Sequence, residues 1–226
     1  MKKLSKKYAA ALALVEKGKA YTVEEASELV KKTSTTSFDC SVDLSFKLNL
    51  DTKQADQQLR GTITLPHGNG KTKKILAVTN TKQAEAKEAG ADFVGGKELL
   101  QKIQTENWYD FDIIVATPDM MGELGKMGRI LGPKGLMPNP KAGTVSMDIA
   151  SAVKEIKNGK LEYRTDKEGN LHLAIAKVSF DAEKIAANIN AVIALINKIK
   201  PQSVKGTYIQ NCVVSTTMGP SIKLSI

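Results

Sequence analysis

Aromatic residues, cysteine and histidine are all scarce in this chain of 226 residues, and each shortage argues against a class of site. Aromatic side chains make up 5% of the sequence, too few for the base-stacking platform that binds single-stranded nucleic acid. Cys40 and Cys212 stand far apart without a partner pattern, which argues against a zinc site. His67 and His172 have no nucleophile or metal ligand at a useful spacing. The sequence therefore predicts neither an enzyme nor a bound metal or cofactor.

Long apolar runs are missing as well, and no stretch approaches the length that a bilayer demands. The opening stretch MKKLSKKYAAALALVEKGKAY meets a glutamate too early for a secretory signal, and its pattern predicts a basic amphipathic helix. The expected location is the cytoplasm, with no membrane partner. The net charge is +9, from 33 basic and 24 acidic residues, so an anionic partner is expected.

The segment LPHGNGKT (65–72) ends like a phosphate-binding P-loop, but its spacing does not fit one. The first glycine of that motif would fall at Leu65, and the pair Lys71-Thr72 runs into KKILAV rather than into a helix. The short apolar run predicts a strand, and the turn residues before it predict a connection between two structural units. A nucleotide-dependent enzyme that uses the middle of the chain is the alternative function.

The predicted strands are of two kinds, which indicates two domains. Strands that alternate apolar and polar residues, as in antiparallel sheets with one open face, are predicted at 40–50, 59–65, 171–178 and 221–226. Continuously apolar strands, each followed by a helix-like stretch, are predicted at 74–78, 91–96 and 112–117. The second pattern is typical of a parallel sheet that is covered on both faces.

We therefore predict a discontinuous two-domain protein that combines the α+β and α/β classes. The two chain ends, 1–66 and 160–226, form a mixed or antiparallel α+β domain, because the N-terminal strands alone are too few for an independent fold and strands of the same kind recur only after residue 160. Residues 67–159 form an inserted parallel α/β domain. The two crossings between the domains are predicted to act as a hinge, built from Pro66, Gly68, Gly70, Asn158 and Gly159.

The segment GRILGPKGLMPNPKAGTV (128–145) concentrates the positive charge of the predicted insertion. Between Leu124 and Val145 the chain holds no acidic residue and four basic ones, namely Lys126, Arg129, Lys134 and Lys141. Its prolines predict a lack of regular structure, and its glycines allow a close approach of the backbone to another molecule. A long basic loop of this kind suits a phosphate backbone, although a rigid loop of purely structural use is the alternative.

Three further stretches belong to the predicted discontinuous domain: TTSFDCSV (35–42), EYRTDKEGNLH (162–172), which we interpret as a charged hairpin, and STTMGPS (215–221). Small hydroxyl side chains and a Gly-Pro turn make a shallow polar surface, which suits the shallow minor groove of double-stranded RNA. The alternatives are a buried Phe38, a solvated hairpin tip and an ordinary strand with its turn.

Five stretches together resemble the family of bacterial large-subunit ribosomal proteins L-one: TITLPHGNGKTKKILAV, EAGADFVGG, DFDIIVATPDMMGELGKMGRILGPKGLMPNPKAGTV, EYRTDKEGNLH and STTMGPS. The resemblance runs from about Tyr8 to the end of the chain and implies that the insertion is Rossmann-like. It implies a structural constituent of the large ribosomal subunit that binds a folded stem of 23S rRNA, chiefly through the first domain, and forms the mobile stalk. It also implies help in releasing deacylated tRNA from the exit site and repression of translation through the leader of its own mRNA. Such a protein would be cytoplasmic and ribosome-associated, and a monomer when free.

The resemblance also implies which residues contact RNA, namely Thr36, Ser37, Phe38, Arg164, Asp166, Lys167, His172, Ser215, Thr216, Thr217, Met218 and Gly219. An auxiliary contact is implied at Arg129, Lys134 and Lys141. The family often has a lysine where this chain has Ser37, so one phosphate contact is expected to be missing. A nucleic-acid chaperone that binds any duplex by charge alone is a third possible function.

Overall fold

A computed structural model of the chain describes residues 4–16 and 18–226. The fold divides into two compact units, which we call the end unit, formed by the chain up to Gly70 together with Leu161–Ile226, and the inserted unit, Lys71–Lys160. The chain therefore passes from one unit to the other after residues 70 and 160, whereas the sequence predicts that it does so after residues 66 and 159. Within the described residues, no helix is both long enough and apolar enough to cross a membrane.

The strands are, in chain order, β1 (Ser41–Leu48), β2 (Arg60–Thr64), β3 (Ile75–Val78), β4 (Phe93–Gly95), β5 (Ile113–Ala116), β6 (Lys160–Arg164), β7 (Asn170–Lys177), β8 (Ile209–Thr216) and β9 (Ile222–Lys223). The helices are α1 (Lys6–Ala13), α2 (Val23–Lys32), α3 (Gln83–Glu88), α4 (Lys97–Glu106), α5 (Met121–Lys126), α6 (Gly128–Leu131), α7 (Ile149–Lys157) and α8 (Ala182–Lys198). The basic first helix that the sequence predicts is thus α1, and Ser5 caps its N-terminus.

The end unit is built on a four-stranded antiparallel sheet with the order β7-β1-β8-β9. Strand β1 alternates as predicted, because Val42, Leu44, Phe46 and Leu48 are buried whereas the residues between them stay at least partly exposed. Helices α2 and α8 pack against the apolar face. Helix α8 contributes a stripe of buried side chains at Ile185, Ile189, Val192 and Ile196, which is the spacing of one helix face.

Two predicted features of the end unit are wrong in detail. The stretch 162–172 is no hairpin, because β6 pairs with β2 in a separate two-stranded sheet whereas β7 pairs with β1. An ion pair from Arg60 to Glu162, at 2.7 Å, fixes β6 to β2. The strand predicted at 221–226 is also short, since β9 ends at Lys223 and Leu224 forms only an isolated bridge to Tyr21.

The inserted unit has a three-stranded parallel sheet with the order β4-β3-β5, covered on both faces as predicted. Apolar residues of β3 alternate between the two layers: Ile75 and Ala77 pack with α3 and α7, and Leu76 and Val78 pack with α4, α5 and α6. The protein therefore combines a discontinuous α+β unit, built from both chain ends, with an inserted α/β unit. The predicted strand after LPHGNGKT is β3, so Lys71 and Thr72 do not open a helix and the P-loop geometry is absent at this position.

The segment 128–145 is more regular than its prolines predict. Gly128–Leu131 forms the short helix α6, since the first proline comes only at position 133 and the buried Leu131 packs into the core. Pro140–Ala142 forms a 3₁₀ turn, in which the proline takes the N-terminal position where no backbone N–H is needed and Asn139 accepts from the N–H of Lys141 at 2.8 Å.

The predicted hinge residues divide between the two units. Pro66, Gly68 and Gly70 lie in the end unit, and Asn158 and Gly159 terminate α7 in the inserted unit. Gly68, Gly70 and Gly159 have φ angles of 64°, 70° and 89°, a region that favours glycine. Hinge action at these positions stays a prediction.

Candidate nucleic-acid interface

The surface opposite α2 and α8 on the four-stranded sheet, which we call the open face, consists of small and polar side chains. It comprises Asp43, Ser45 and Lys47 of β1, His172 and Ala174 of β7, and Asn211, Val213 and Ser215 of β8. Ser45 lies in register between His172 and Val213, and Asp43 lies between Ala174 and Ser215. His172 Nδ1 is 3.0 Å from the Ser45 hydroxyl, which ties β7 to β1 across the face.

The predicted RNA-contacting residues lie at both ends of this face and in its middle. At one end of the sheet, Phe38 precedes β1 and Met218 follows β8. At the other end, Arg164 and Lys167 precede β7. Because an antiparallel strand rises about 3.4 Å per residue, the two ends of the eight-residue strand β1 are roughly 24 Å apart. The predicted contacts therefore do not converge on a pocket but line an extended surface.

Phe38 and Met218 are two large apolar side chains exposed at the same end of the sheet. They are 57% and 64% exposed, so the interpretation of Phe38 as a core residue is wrong. The Thr35 hydroxyl donates to the Met218 carbonyl at 3.4 Å, and the Thr36 hydroxyl donates to the Phe38 carbonyl at 3.1 Å. These bonds hold the two apolar side chains on adjoining segments, and the neighbouring Ser37 is exposed.

Thr216 and Thr217 have different roles, although both are predicted to contact RNA. Thr216 is 4% exposed on the core side of β8, so its hydroxyl does not reach the open face, and its contact with RNA stays a prediction. Its side chain lies under Gly219, where a Cβ atom would overlap the Thr216 hydroxyl. The Thr217 hydroxyl accepts from the Ser41 N–H at 3.2 Å and is 3.4 Å from the Ser41 carbonyl, so it fastens this turn to β1.

Asp166 shapes the turn that leads into β7. Its Oδ1 accepts from the N–H groups of Glu168 at 2.9 Å and Asn170 at 2.7 Å, and its Oδ2 accepts from the Asn170 side chain at 3.0 Å. Partial burial would raise the pKa of Asp166, but these hydrogen bonds and the nearby His172 hold that pKa below its ordinary value. The carboxylate is thus occupied within the turn, while Arg164 and Lys167 remain exposed beside it.

In the inserted unit, the three predicted auxiliary residues Arg129, Lys134 and Lys141 are all exposed. The Lys134 ammonium lies over the ring of Tyr109, 3.5 Å from its centroid, in a cation–π contact. Tyr109 thereby fixes the middle of residues 128–145, which we call the basic segment. Neither Arg129 nor Lys141 forms an ion pair within the described ranges 4–16 and 18–226, whereas Lys126 pairs with Glu123 at 3.1 Å.

Several residues of the open face were not predicted, notably Ser45, Lys47 and Asn211. The alternating pattern of β1 does place Ser45 and Lys47 on a polar face, but only the register with β7 and β8 brings that face beside His172 and Ser215. Tyr109 carried no sequence signal, because its contact with Lys134 joins segments that only the fold brings together.

Metal-ligating side chains do not cluster in the described part of the chain. It contains no group of three or more His, Cys, Asp or Glu side chains that could hold a metal ion. Burial raises the pKa of Cys212 to about 12, so this thiol stays protonated at neutral pH.

Comparison with known proteins identifies the family. Residues 30–220 match the model of the family described as Ribosomal protein L1p/L10e family. The chain belongs to this family. The resemblance inferred from the sequence motifs is thereby confirmed, and the family is one of ribosomal proteins rather than of enzymes.

Three relatives in the L1p/L10e family match almost the whole chain. The large ribosomal subunit protein uL1 of Mycoplasma capricolum is 59% identical over 224 residues, or 99% of each chain. The protein of the same name from Mesoplasma florum is 58% identical over 226 residues, or 100% of each chain. That of Mycoplasma mycoides is 58% identical over 224 residues, again 99% of each.

The environments of the two threonines predict opposite effects of the same substitution. The Thr216 hydroxyl has no partner among the described residues, so Thr216→Val should leave the stability of the end unit unchanged or raise it by about 1 kcal/mol. Thr217→Val removes the bonds to Ser41 and should lower that stability by about 0.5–1.5 kcal/mol.

Amide hydrogen exchange in β1 and β8 measures the stability of the end unit separately from that of the inserted unit. Equal destabilisation by both variants would contradict the assigned environments.

Proposed function

We propose that this protein is a constituent of the large ribosomal subunit that binds a folded stem of 23S rRNA through the open face of its end unit. The observation that carries the proposal is the exposed pair Phe38 and Met218 at the end of a shallow polar face. Apolar side chains of this size are costly to leave in water, and their exposure beside small polar groups suits contact with another molecule.

The chemistry of the open face supports recognition of structured RNA by shape. Ser45, His172, Asn211 and Ser215 offer short-range donors and acceptors, of the kind that can meet ribose hydroxyls across a shallow minor groove. The face itself carries both Asp43 and Lys47, so charge alone does not account for binding there. This balance favours a specific RNA site over the chaperone that binds any duplex by charge.

The inserted unit supplies the auxiliary contact in this proposal. Arg129, Lys134 and Lys141 project from a segment without acidic residues, where phosphate groups can approach with little repulsion. The nucleotide-dependent enzyme has no support from this unit, because the residues that would cradle a phosphate lead directly into β3.

We further propose the finer roles that the family resemblance implies. The protein would form the mobile stalk, assist the release of deacylated tRNA from the exit site, and repress its own translation by binding a leader in its mRNA. It would act in the cytoplasm on the ribosome and be a monomer when free. Support for these roles comes from the similarity to proteins named large ribosomal subunit protein uL1.

Met218→Ala and Phe38→Ala should each weaken binding of the stalk rRNA stem by about 5- to 30-fold, equivalent to about 1–2 kcal/mol, because each removes an anchor. Filter binding or calorimetry at fixed salt measures the affinity. Met147→Ala is the matched control, since Met147 is 67% exposed but lies in the inserted unit outside the basic segment. Undiminished affinity of both test variants would remove the end of the open face at Phe38 and Met218 from the binding site.

The auxiliary contact should appear in the salt dependence of binding. Arg129→Gln combined with Lys141→Gln should reduce the slope of log affinity against log salt by at most about 0.9 for each phosphate that is no longer neutralised. Lys126→Gln is the control, because this lysine is held by Glu123. A slope that stays the same in the double variant would make the basic segment a structural element only.

A further inference from the structure

Strand β9 covers only part of its neighbour β8, and a cavity lies where the pairing ends. Val213 and Val214 pair with β9, and the Leu224 N–H then donates to the Cys212 carbonyl at 2.9 Å. Beyond this bond lies a cavity of about 250 Å³, which we call the notch and which is lined by Ala20 and by residues 209–212 and 223–226. Pockets for drug-sized ligands begin at roughly 300 Å³, so the notch suits one small chemical group rather than a whole nucleotide.

The polar lining of the notch is rich in hydrogen-bond donors. Its side-chain donors are an ammonium group, two amides and a hydroxyl, on Lys223, Gln210, Asn211 and Ser225. All four residues are exposed, and none of the described residues that line the notch is acidic. A positive charge beside neutral donors, without a competing carboxylate, favours a negatively charged oxygen ligand such as a phosphate group.

The register of the sheet places part of this lining on the open face. Asn211 pairs directly with Lys47 of β1, and Lys223 pairs directly with Val213. Directly opposed residues of an antiparallel pair project from the same face, so Asn211 and Lys223 both belong to the side of the open face. The burial of β9 agrees, since Ile222 is buried whereas Lys223 is exposed. The notch therefore extends the open face from β8 to β9.

Lys47 and Lys223 carry the positive charge of this part of the sheet. Neither lysine side chain forms an ion pair or a hydrogen bond within residues 4–16 and 18–226. The two residues lie two strands apart and two positions apart along the sheet, which separates their Cα atoms by roughly 12 Å. The backbone at Lys223 is fixed, because its carbonyl accepts from the Tyr21 N–H at 2.9 Å. Both long side chains can therefore contact one stretch of a phosphate backbone.

We propose that the notch binds one phosphate group of the RNA backbone, with Lys223 as the charged ligand and Asn211 as a neutral donor. Lys47 lies on the other side of Asn211 and adds positive charge to the site. This inference rests on the proposed function, because it assigns the notch to the same RNA. It extends the RNA contact to β9, where no sequence motif indicated one.

The salt dependence of stem binding by the full chain tests the charged ligand. Lys223→Gln should reduce the slope of log affinity against log salt by about 0.7–0.9, the value for one phosphate that is no longer neutralised. Lys198→Gln is the matched control, because it removes the same charge from an exposed position on α8 and should leave the slope unchanged. An unchanged slope in Lys223→Gln, or equal reductions in both variants, would overturn the proposal.

A second pair of variants tests the neutral donor. Asn211→Asp should weaken binding of the stem at fixed salt, because a carboxylate in the notch repels a phosphate group. Asn197→Asp introduces the same charge at an exposed asparagine of α8 and should leave the affinity unchanged. Equal affinities of these two variants would overturn the role of Asn211.

Nuclear magnetic resonance separates the notch from the rest of the open face. The stem should shift the side-chain amide signal of Asn211 in the wild type, and Lys223→Gln should abolish this shift while the backbone signal of Phe38 still shifts. Shifts at Phe38 and Met218 without one at Asn211 would overturn the notch but leave the proposed function intact. The absence of shifts at all three residues would overturn both.

Inorganic phosphate and a short polyglutamate peptide test other sources of the anion. At a stem concentration that shifts the Asn211 signal, equal concentrations of either probe should leave that signal in place, because a single exposed lysine binds an isolated anion weakly. A shift caused by either probe but not by the stem would assign the notch to a free anion or to an acidic protein, and would overturn the proposal.

Discussion

The pairing of β1 with β7 on one edge and with β8 on the other is the constraint on which the rest of the structure depends. Both partner strands follow the inserted unit in the sequence, whereas β1 precedes it. Neither chain end can therefore complete the sheet alone. The register is fixed because a slip of one residue would turn Leu44 and Phe46 out of the core. The inserted unit therefore lies, in chain order, between strands of one and the same sheet.

This pairing also creates the candidate interface. One face of β1 is buried in the core beneath α2 and α8. The other face must therefore consist of side chains that tolerate water. Polar groups at the strand ends then shape the surface from within: Asp166 organises the turn before β7, and Thr217 fastens the turn after β8 to Ser41. Residues that shape the surface and residues that are free to contact a partner are therefore neighbours, although they have different roles.

Sequence periodicity was sufficient for the two kinds of strand, because burial on one face or on both leaves different residue patterns. It could not show that β6 pairs with β2, since Arg60 and Glu162 meet only in the fold. Thr216 and Thr217 look equivalent in the sequence, and only the strand geometry places one hydroxyl inside and one outside. The turn at Gly68 likewise depends on a residue 120 positions away, since Asn188 Nδ2 donates to the Gly68 carbonyl at 2.9 Å, and no sequence pattern indicates that contact.

The most direct test of this account uses a shortened protein that lacks the inserted unit and measures its affinity for the stalk rRNA stem. Residues 71–160 would be replaced by a short glycine linker, which preserves the turn held by Asn188, and the affinity would be compared with that of the full chain at the same salt concentration. The account predicts that the end unit keeps its antiparallel sheet and binds within about tenfold of the full chain, a difference of about 1.4 kcal/mol. Loss of specific binding with that sheet intact would contradict it and would place recognition in the inserted unit.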